Sequence, residues 1–323
     1  MIEITVQNPA ALDFDEYAAM QAEAFAEVVG AHGMGFLNTP EYYRWKYNTP
    51  WGTAFIATVR KDQKLVAANA MYPLRIIARG NSVMGWQSCD TATLPEARGQ
   101  GLFMKCLHAL QEQLSDESIF FGFPNLNSVR GFEKLGWQRR EELVGFTRFL
   151  PGRRFNAFPN ICASDSTLPS YDDLATRVAN NDRPMIERSA AYLQWRFFRH
   201  PLYQYEVFAL SAAQGIHGYI ALREVTFNRR KIGLIMDLLA VDGKARNQLL
   251  RFAAAWSRSK RLGFTLLFTN ALSRSSALRS AFIPIPARLM PKRQILMGAA
   301  KGSAAASMWD KSWYMQIGDW DGL

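Results

Sequence analysis

The stretch Asp90-Thr-Ala-Thr-Leu-Pro-Glu-Ala-Arg98-Gly-Gln-Gly101-Leu-Phe-Met is the sharpest chemical signal in the chain. It reads as a strand entering a turn and then a helix. Small residues in such a turn let the backbone approach a ligand. The first helical turn aims unpaired N–H groups at that ligand, with the positive end of the helix dipole behind them. Arg98, Gly99, Gln100 and Gly101 are therefore expected to cradle an anion such as a pyrophosphate, with Leu102 and Phe103 opening the helix. The turn lacks the Lys-Ser/Thr of a P-loop and the glycine spacing of a dinucleotide fingerprint. Carboxylates able to accept a proton are Asp90, eight residues before Arg98, and Asp319 and Asp321 in the tail SWYMQIGDWDGL. Each also has a structural reading: Asp90 as the residue holding a strand bend, the two tail acids as solvent-facing. Cys89 and Cys106 have no histidine partner placed by sequence, so no covalent cysteine intermediate is expected. His108 reads as a helix-surface or core residue, His200 as part of a packing motif and His217 as a strand residue.

These groups need a scaffold, and its elements are legible. Residues 2–7 alternate as a strand, and 13–29 have helical periodicity behind Asp13 as N-cap. A short aromatic helix follows over 40–47. Residues 53–60 and 64–78 read as a hairpin turning at 61–63, and 82–93 as a third long strand. Beyond the glycine turn come a helix over 100–114, a strand over 119–123, a helix over 127–135 closed by Gly136, and a last strand over 137–149. This order predicts an α/β (α+β) mixed sheet with helices on its faces. Prolines 151, 159, 169 and 184 punctuate a linker over 151–184, with one short helix near 170–179.

A second copy of the pattern follows. EYYRWKYNTP at 41–50 parallels AAYLQWRFFRHP at 190–201, matching Trp45-Lys46-Tyr47 to Trp195-Arg196-Phe197. SCDTATLPEAR at 88–98 parallels IMDLLAVDGKA at 235–245, aligning Asp90 with Asp237, and FFGFPN at 120–125 parallels TLLFTN at 265–270. Blocks in one order at nearly one offset indicate duplication. The expected division is 1–150, a linker over 151–184, and 185–323. In the second copy the glycine turn is replaced by Gly243-Lys-Ala-Arg-Asn-Gln-Leu249, which predicts a scaffold without a second anion site.

Composition narrows the class. The 323 residues are 49% hydrophobic and 20% charged, an ordinary globular balance with room for two domains. No window is apolar enough to span a membrane, and the N-terminus has neither a basic region nor an apolar stretch of a secretory signal. Three cysteines without metal-ligand spacing suggest reduced thiols and a cytoplasmic location. The net charge of +10 is spread in short pairs such as Arg139-Arg140 and Arg229-Arg230, so nucleic acid is not the expected main partner.

The turn, the strand before it and FPNLNSVRGFEKLGW at 123–137 together resemble the GNAT superfamily of acyl-CoA-dependent acyltransferases. The tandem bacterial members are most similar, through the Trp195–Pro201 motif and the closing Gly318-Asp-Trp-Asp321. The resemblance implies two tandem GNAT-like domains with an acyl-CoA site in the first. Arg98–Gly101 would take the pyrophosphate, and backbone groups of Thr91, Ala92 and Thr93 the pantetheine arm. Asn125 and Asn127 match the family's second CoA element. Asp90 would face the thioester as candidate base. His32, Tyr43 and Trp86 would lie on the acceptor side, where the Tyr42–Trp51 aromatics could stack on a sugar. Two positions depart from the pattern: Phe103 replaces a small residue of the loop, and Phe132 stands where the family often has a tyrosine acid. The implied activity is N-acetyl transfer from acetyl-CoA, or another acyl-CoA, to a primary amine of a small polar acceptor such as an amino sugar. Attack would be direct in a ternary complex, with no metal. A non-catalytic acyl-CoA- or partner-binding protein and an aminoacyl-tRNA-dependent transferase are the alternatives, and the oligomeric state stays open.

Overall fold

A computed structural model describes residues 2–32, 38–114, 116–125, 128–149, 158–164, 170–179, 182–213, 215–227, 230–290 and 294–320, without the side chains of 27–32, 170 and 227. The chain opens with β1 (Ile2–Gln7) and α1 (Phe14–His32). Asp13 caps that helix as its sequence predicts, Oδ1 accepting from the N–H groups of Asp15 at 3.0 Å and Glu16 at 3.1 Å. α2 (Pro40–Lys46) starts on Thr39, with Pro40 where a missing N–H does no harm. β2 (Phe55–Lys61) and β3 (Lys64–Ala78) turn through Asp62 and Gln63, both at positive φ, which matches the twist of a hairpin. β4 (Asn81–Thr93), α3 (Leu102–Gln113), β5 (Ser118–Gly122) and α4 (Val129–Lys134) complete the expected order, and Gly136 at φ +81° ends the last of these.

The expected strand over 137–149 is two strands, β6 (Gln138–Glu142) and β7 (Val144–Phe149). Next come β8 (Ile161–Ala163), α5 (Ser170–Ala179), β9 (Met185–Ile186), and α6 (Ala190–Leu193), which runs on as a π turn over Gln194–Phe198. β10 (Glu206–Ala212), β11 (Gly215–Phe227), β12 (Arg230–Ala240), α7 (Gly243–Ser259), β13 (Phe264–Thr269), α8 (Arg274–Arg279), β14 (Ile283–Pro284), β15 (Ile295–Lys301) and α9 (Ser303–Trp309) follow.

Two mixed sheets result. The first runs β1-β2-β3-β4-β5-β15-β6, with β9 added to β3. The second runs β8-β10-β11-β12-β13-β7-β14. Place by place the two orders correspond, and among the described residues the single parallel pair of each is the central one, β4 with β5 and β12 with β13. The sixth place is exchanged. β15, from the end of the chain, lies between β5 and β6, while β7 lies between β13 and β14. The sheets therefore cross the divisions expected at 150 and 185, and β8 and α5 of the expected linker pack in the second body.

A local dyad lies where the two bodies meet. Trp45 Nε1 donates to the Trp195 carbonyl at 2.9 Å, and Trp195 Nε1 donates to the Trp45 carbonyl at 3.2 Å. Their rings stack at 5.3 Å. One core cluster extends from Tyr17 and Leu107 in the first copy to Tyr219, Met315 and Trp320 in the second. A smaller one lies beneath α7 around Phe146, Leu249, Trp256 and Phe282.

Candidate functional site

The β4–α3 connection builds the open end of the site. Gly99 (φ +78°) and Gly101 (φ +68°) adopt a backbone that side chains disfavour, and a Cβ added to either would meet nothing within 4 Å. The turn is thus shaped by glycine and left open above. Arg98 ties it down, Nε donating to the Thr93 carbonyl and Nη2 to the Ala24 carbonyl, both at 3.3 Å. α3 begins behind Gly101, which has no side chain with which to cap the first N–H groups of the helix. Leu102 is buried as the anchor. Phe103 does not close the turn. Its ring lies over Gly131, where a Cβ would come within 2.5 Å of it, and meets Phe132 edge-on at 4.9 Å. Phe132 in turn packs on Trp137 at 4.6 Å, so the position that lacks a tyrosine hydroxyl is a packed aromatic one.

The central strands part beside this turn. β4 pairs with β5 from Met84 with Ser118 to Ser88 with Gly122, and there β5 ends. β4 continues to Thr93 with β3 on one side and, among the described residues, no strand on the other. At the parting, the β3 ladder breaks. Ala68 faces Ala92 and Ala70 faces Cys89, so Asp90 and Thr91 stand opposite Asn69 alone in a bulge. Asp90 has φ +48°, a conformation that aspartate tolerates better than most residues.

A set of buried groups holds the bulge. Lys46 Nζ donates to Asp90 Oδ1 at 2.8 Å, and the Tyr47 hydroxyl donates to Oδ2 at 2.8 Å. Tyr17 meets the Tyr47 hydroxyl at 2.7 Å, Gln21 Nε2 donates to the Asp90 carbonyl at 2.8 Å, and Asn69 Nδ2 donates to Ser88 Oγ at 3.2 Å and to Thr91 Oγ1. Burial, then the Asp90 charge, push the Tyr17 and Tyr47 hydroxyls well above the usual range, so both stay protonated. Sequence reasoning missed Lys46 and Tyr47 as partners of Asp90. The available signal was a lysine inside an aromatic motif, where a buried charge needs a partner.

The remaining candidates are scattered. Tyr43 is buried, its ring edge-on to Tyr17 at 4.9 Å and its hydroxyl donating to Asn38 Oδ1 at 2.6 Å. Trp86 is buried against Phe55. Asn125 caps the turn into α4, its Oδ1 accepting from Ser128 N at 3.0 Å. His200 is buried and held neutral: burial, then the Arg196, Arg223 and Lys46 charges, push its pKa down to about 2. Its Nδ1 accepts from Leu202 N at 3.2 Å and Tyr203 N at 3.1 Å. Asn127, Asp321 and the side chain of His32 lie outside the described residues. Asp319 is enclosed. Arg188 Nη2 donates to its Oδ1 at 2.6 Å, Gln316 N donates to its Oδ2 at 2.8 Å, and Arg188 also pairs with Asp237 at 3.3 Å. Burial raises the Asp319 pKa while the Arg188 charge lowers it.

The matching place in the second copy is filled. Asp242 stands at the start of α7 as Gly101 does at the start of α3, and its carboxylate accepts from Ala245 N at 2.7 Å. That carboxylate occupies the pole where an anion would sit. β12 and β13 also part, after Ile235 with Leu267, but the tail over 314–319 enters the gap. Gln316 bridges to Thr269, the Met315 carbonyl accepts from Thr269 Oγ1 at 2.8 Å, and the tyrosine hydroxyl of Tyr314 donates to the Leu238 carbonyl. Gly318 lies so close to β12 that a Cβ would come within 2.6 Å of the Met236 carbonyl. A residual cavity of about 10 Å³ between Leu238, Leu250, Tyr314 and Gln316 has room for about one water.

The comparisons agree with this architecture. The family model described as an acetyltransferase (GNAT) domain matches residues 6–140. A GCN5-related N-acetyltransferase from Anabaena variabilis aligns over 93% of this chain and 73% of its own, at 13% identity and TM-score 0.69. A conserved protein of unknown function from Enterococcus faecalis aligns over 93% and 72%, at 12% identity and TM-score 0.67. Saccharomyces cerevisiae N-myristoyltransferase, solved with bound myristoyl-CoA, aligns over 92% and 81%, at 12% identity and TM-score 0.60. A search of curated proteins finds no match. Among the described residues no helix is long and apolar enough to cross a membrane.

Proposed function

We propose that this chain, which has the GNAT fold in both of its copies, transfers an acyl group from acyl-CoA to a primary amine at one site in the first copy. The observation that carries the reading is the open glycine turn at Gly99 and Gly101 beside the parting of β4 and β5 at Ser88 and Gly122. The turn suits a diphosphate. The uncovered edge of β4 suits the amide-bearing arm that joins the diphosphate to the thioester, much as an added strand would pair there. Arg98, Gly99, Gln100, Gly101 and the N–H groups of Leu102 and Phe103 would hold the diphosphate, and the backbone of Thr91, Ala92 and Thr93 the arm. Asn125, three residues beyond the end of β5, would contribute to the opposite wall.

For the chemistry, attack of the amine on the thioester carbonyl develops an oxyanion, which fixed backbone N–H groups at a bulge can stabilise. The pairing of both Asp90 oxygens supports a positioning role for it: with Lys46 and Tyr47 it fixes the bulge. Both Asp90 oxygens are already engaged by Lys46 and Tyr47, so a solvent-borne base better fits removal of the amine proton. The enclosed Asp319 supports a structural role there too. An acetyl donor, an amino sugar or similar small polar acceptor, and a cytoplasmic location remain part of the proposal.

Calorimetry with acetyl-CoA, followed by thiol-release assays over a panel of amines, tests it. Binding with thiol release on one class of amine is the expected result. Tight binding with no release on any amine would point to a non-catalytic acyl-CoA binder, the reading that the packed Phe132 favours. No acetyl-CoA binding would reject both.

A further inference from the structure

The charge of the chain is unevenly placed. Residues 243–309 contain twelve lysines and arginines and no aspartate or glutamate, so the rest of the sequence is slightly acidic. Much of this excess lies on α7 and α8, which pack against strands of the second sheet. Arg148 of β7 donates through Nη1 to the Ser280 carbonyl at 2.7 Å, and Ser280 Oγ donates to Asn247 of α7 at 3.0 Å. These contacts set α8 beside α7. Burial, then repulsion from Arg258 and Arg251, hold the Arg148 pKa below its ordinary value, which marks three arginines crowded at one place. Arg274 and Arg279 on α8 and Arg288 just beyond are exposed.

The same rim carries apolar side chains in solvent. Leu278 is 57% exposed and Leu289 is 66% exposed, with Ile283 between them at 43%. They belong to one segment that runs along the outermost strand, β14, with Ile285 N bonded to the Gly145 carbonyl at 2.8 Å. Bulky aliphatic groups displayed among arginines are costly for a surface facing only water. The arginines and the exposed Phe149 ring on neighbouring β7 would also suit a nucleic acid, but the displayed aliphatic side chains offer it neither a donor nor a stacking ring. Aliphatic anchors rimmed by cations fit the boundary of an anionic bilayer.

We propose that the rim formed by Leu278, Ile283 and Leu289 with Arg274, Arg279 and Arg288 docks this protein peripherally on an anionic lipid surface. The test uses the full chain in co-sedimentation with vesicles of phosphatidylcholine alone and of phosphatidylcholine mixed with phosphatidylglycerol, at low and high salt. Binding is expected only to the anionic vesicles and weakens with salt. Leu278→Asp combined with Leu289→Asp should abolish it. Arg274→Gln, Arg279→Gln and Arg288→Gln together should lower partitioning on the order of a hundredfold, roughly fivefold per charge. Unchanged thermal midpoints would show that the variants fold. Equal binding to both vesicle types, no binding to either, or full retention by the leucine variant would overturn the proposal. So would capture of RNA in preference to vesicles. Because these residues lie in the second copy, acetyl-CoA affinity should be the same in every variant, which separates this test from that of the acyltransfer reading.

Discussion

Gly101 and Asp90 make separate demands on the site, and substitutions should separate them. Gly101 has φ +68° and open space above it, so Gly101→Trp introduces both strain and an indole where the diphosphate would lie. Calorimetry should then register no acetyl-CoA binding, with the fold intact. Asp90→Asn keeps a residue that tolerates positive φ but loses the ion pair with Lys46. Turnover should fall by about ten- to hundredfold through a loosened bulge, with acetyl-CoA affinity little changed. Lys46→Met leaves the Asp90 carboxylate, 13% exposed, without its cation, and should cost about 3 kcal/mol in urea denaturation. If Asp90→Asn left turnover intact, the bulge would not depend on the ion pair. His200 offers a second residue-level check. Its folded pKa of about 2 lies below the ordinary 6.5, so it adds stability above pH ~6.5 that is lost as pH falls. The loss should approach about 1.4 kcal/mol per pH unit below that point. His200→Asn, which keeps an acceptor for Leu202 N and Tyr203 N, should remove that slope in urea melts across the acid range.

At the scale of elements, the glycine turn, the two hairpin strands before it and the caps at Asp13 and Gly136 were legible because each is written in local sequence. The partners of Asp90 were not, since Lys46 and Tyr47 lie more than forty residues away and periodicity says nothing of which helix crosses a bulge. The closed state of the second copy was half legible. Loss of the paired glycines was visible, but the stronger device is Asp242, a favoured N-cap residue set where the first copy has Gly101. A carboxylate there satisfies the N–H groups that the first copy leaves for a ligand. Asp242→Ala should therefore lower stability by about 1 kcal/mol while acetyl-CoA still binds once per chain. A second binding event in calorimetry on that variant would contradict the assignment of the tail over 314–319 as the filler of the gap.

For the whole molecule, the exchange of β7 and β15 decides how the copies depend on each other. A hydrophobic run specifies a strand but not the sheet it joins, so 137–149 reads as one strand although it divides around Leu143. Leu143 N donates to the Gln294 carbonyl at 3.0 Å, holding the divergence beside the entry of β15. Without β15, β5 and β6 lose the strand between them, and both present unpaired backbone. Without β7, β13 and β14 do the same. Add the reciprocal Trp45–Trp195 bonds and the bond that Gln87 Nε2 donates to the Asp319 carbonyl at 3.0 Å, and neither copy closes its own core. Two autonomous domains would melt in two steps, and a fragment of residues 1–149 would fold. Here the full chain should unfold in one cooperative transition, with acetyl-CoA raising its single midpoint. The fragment should lack a cooperative melt, because the place of β15 is vacant and β7 has no sheet to join. A folded, acetyl-CoA-binding 1–149 fragment would show instead that β7 can return to the first sheet, and that the exchange is a choice of partners and not a condition of folding.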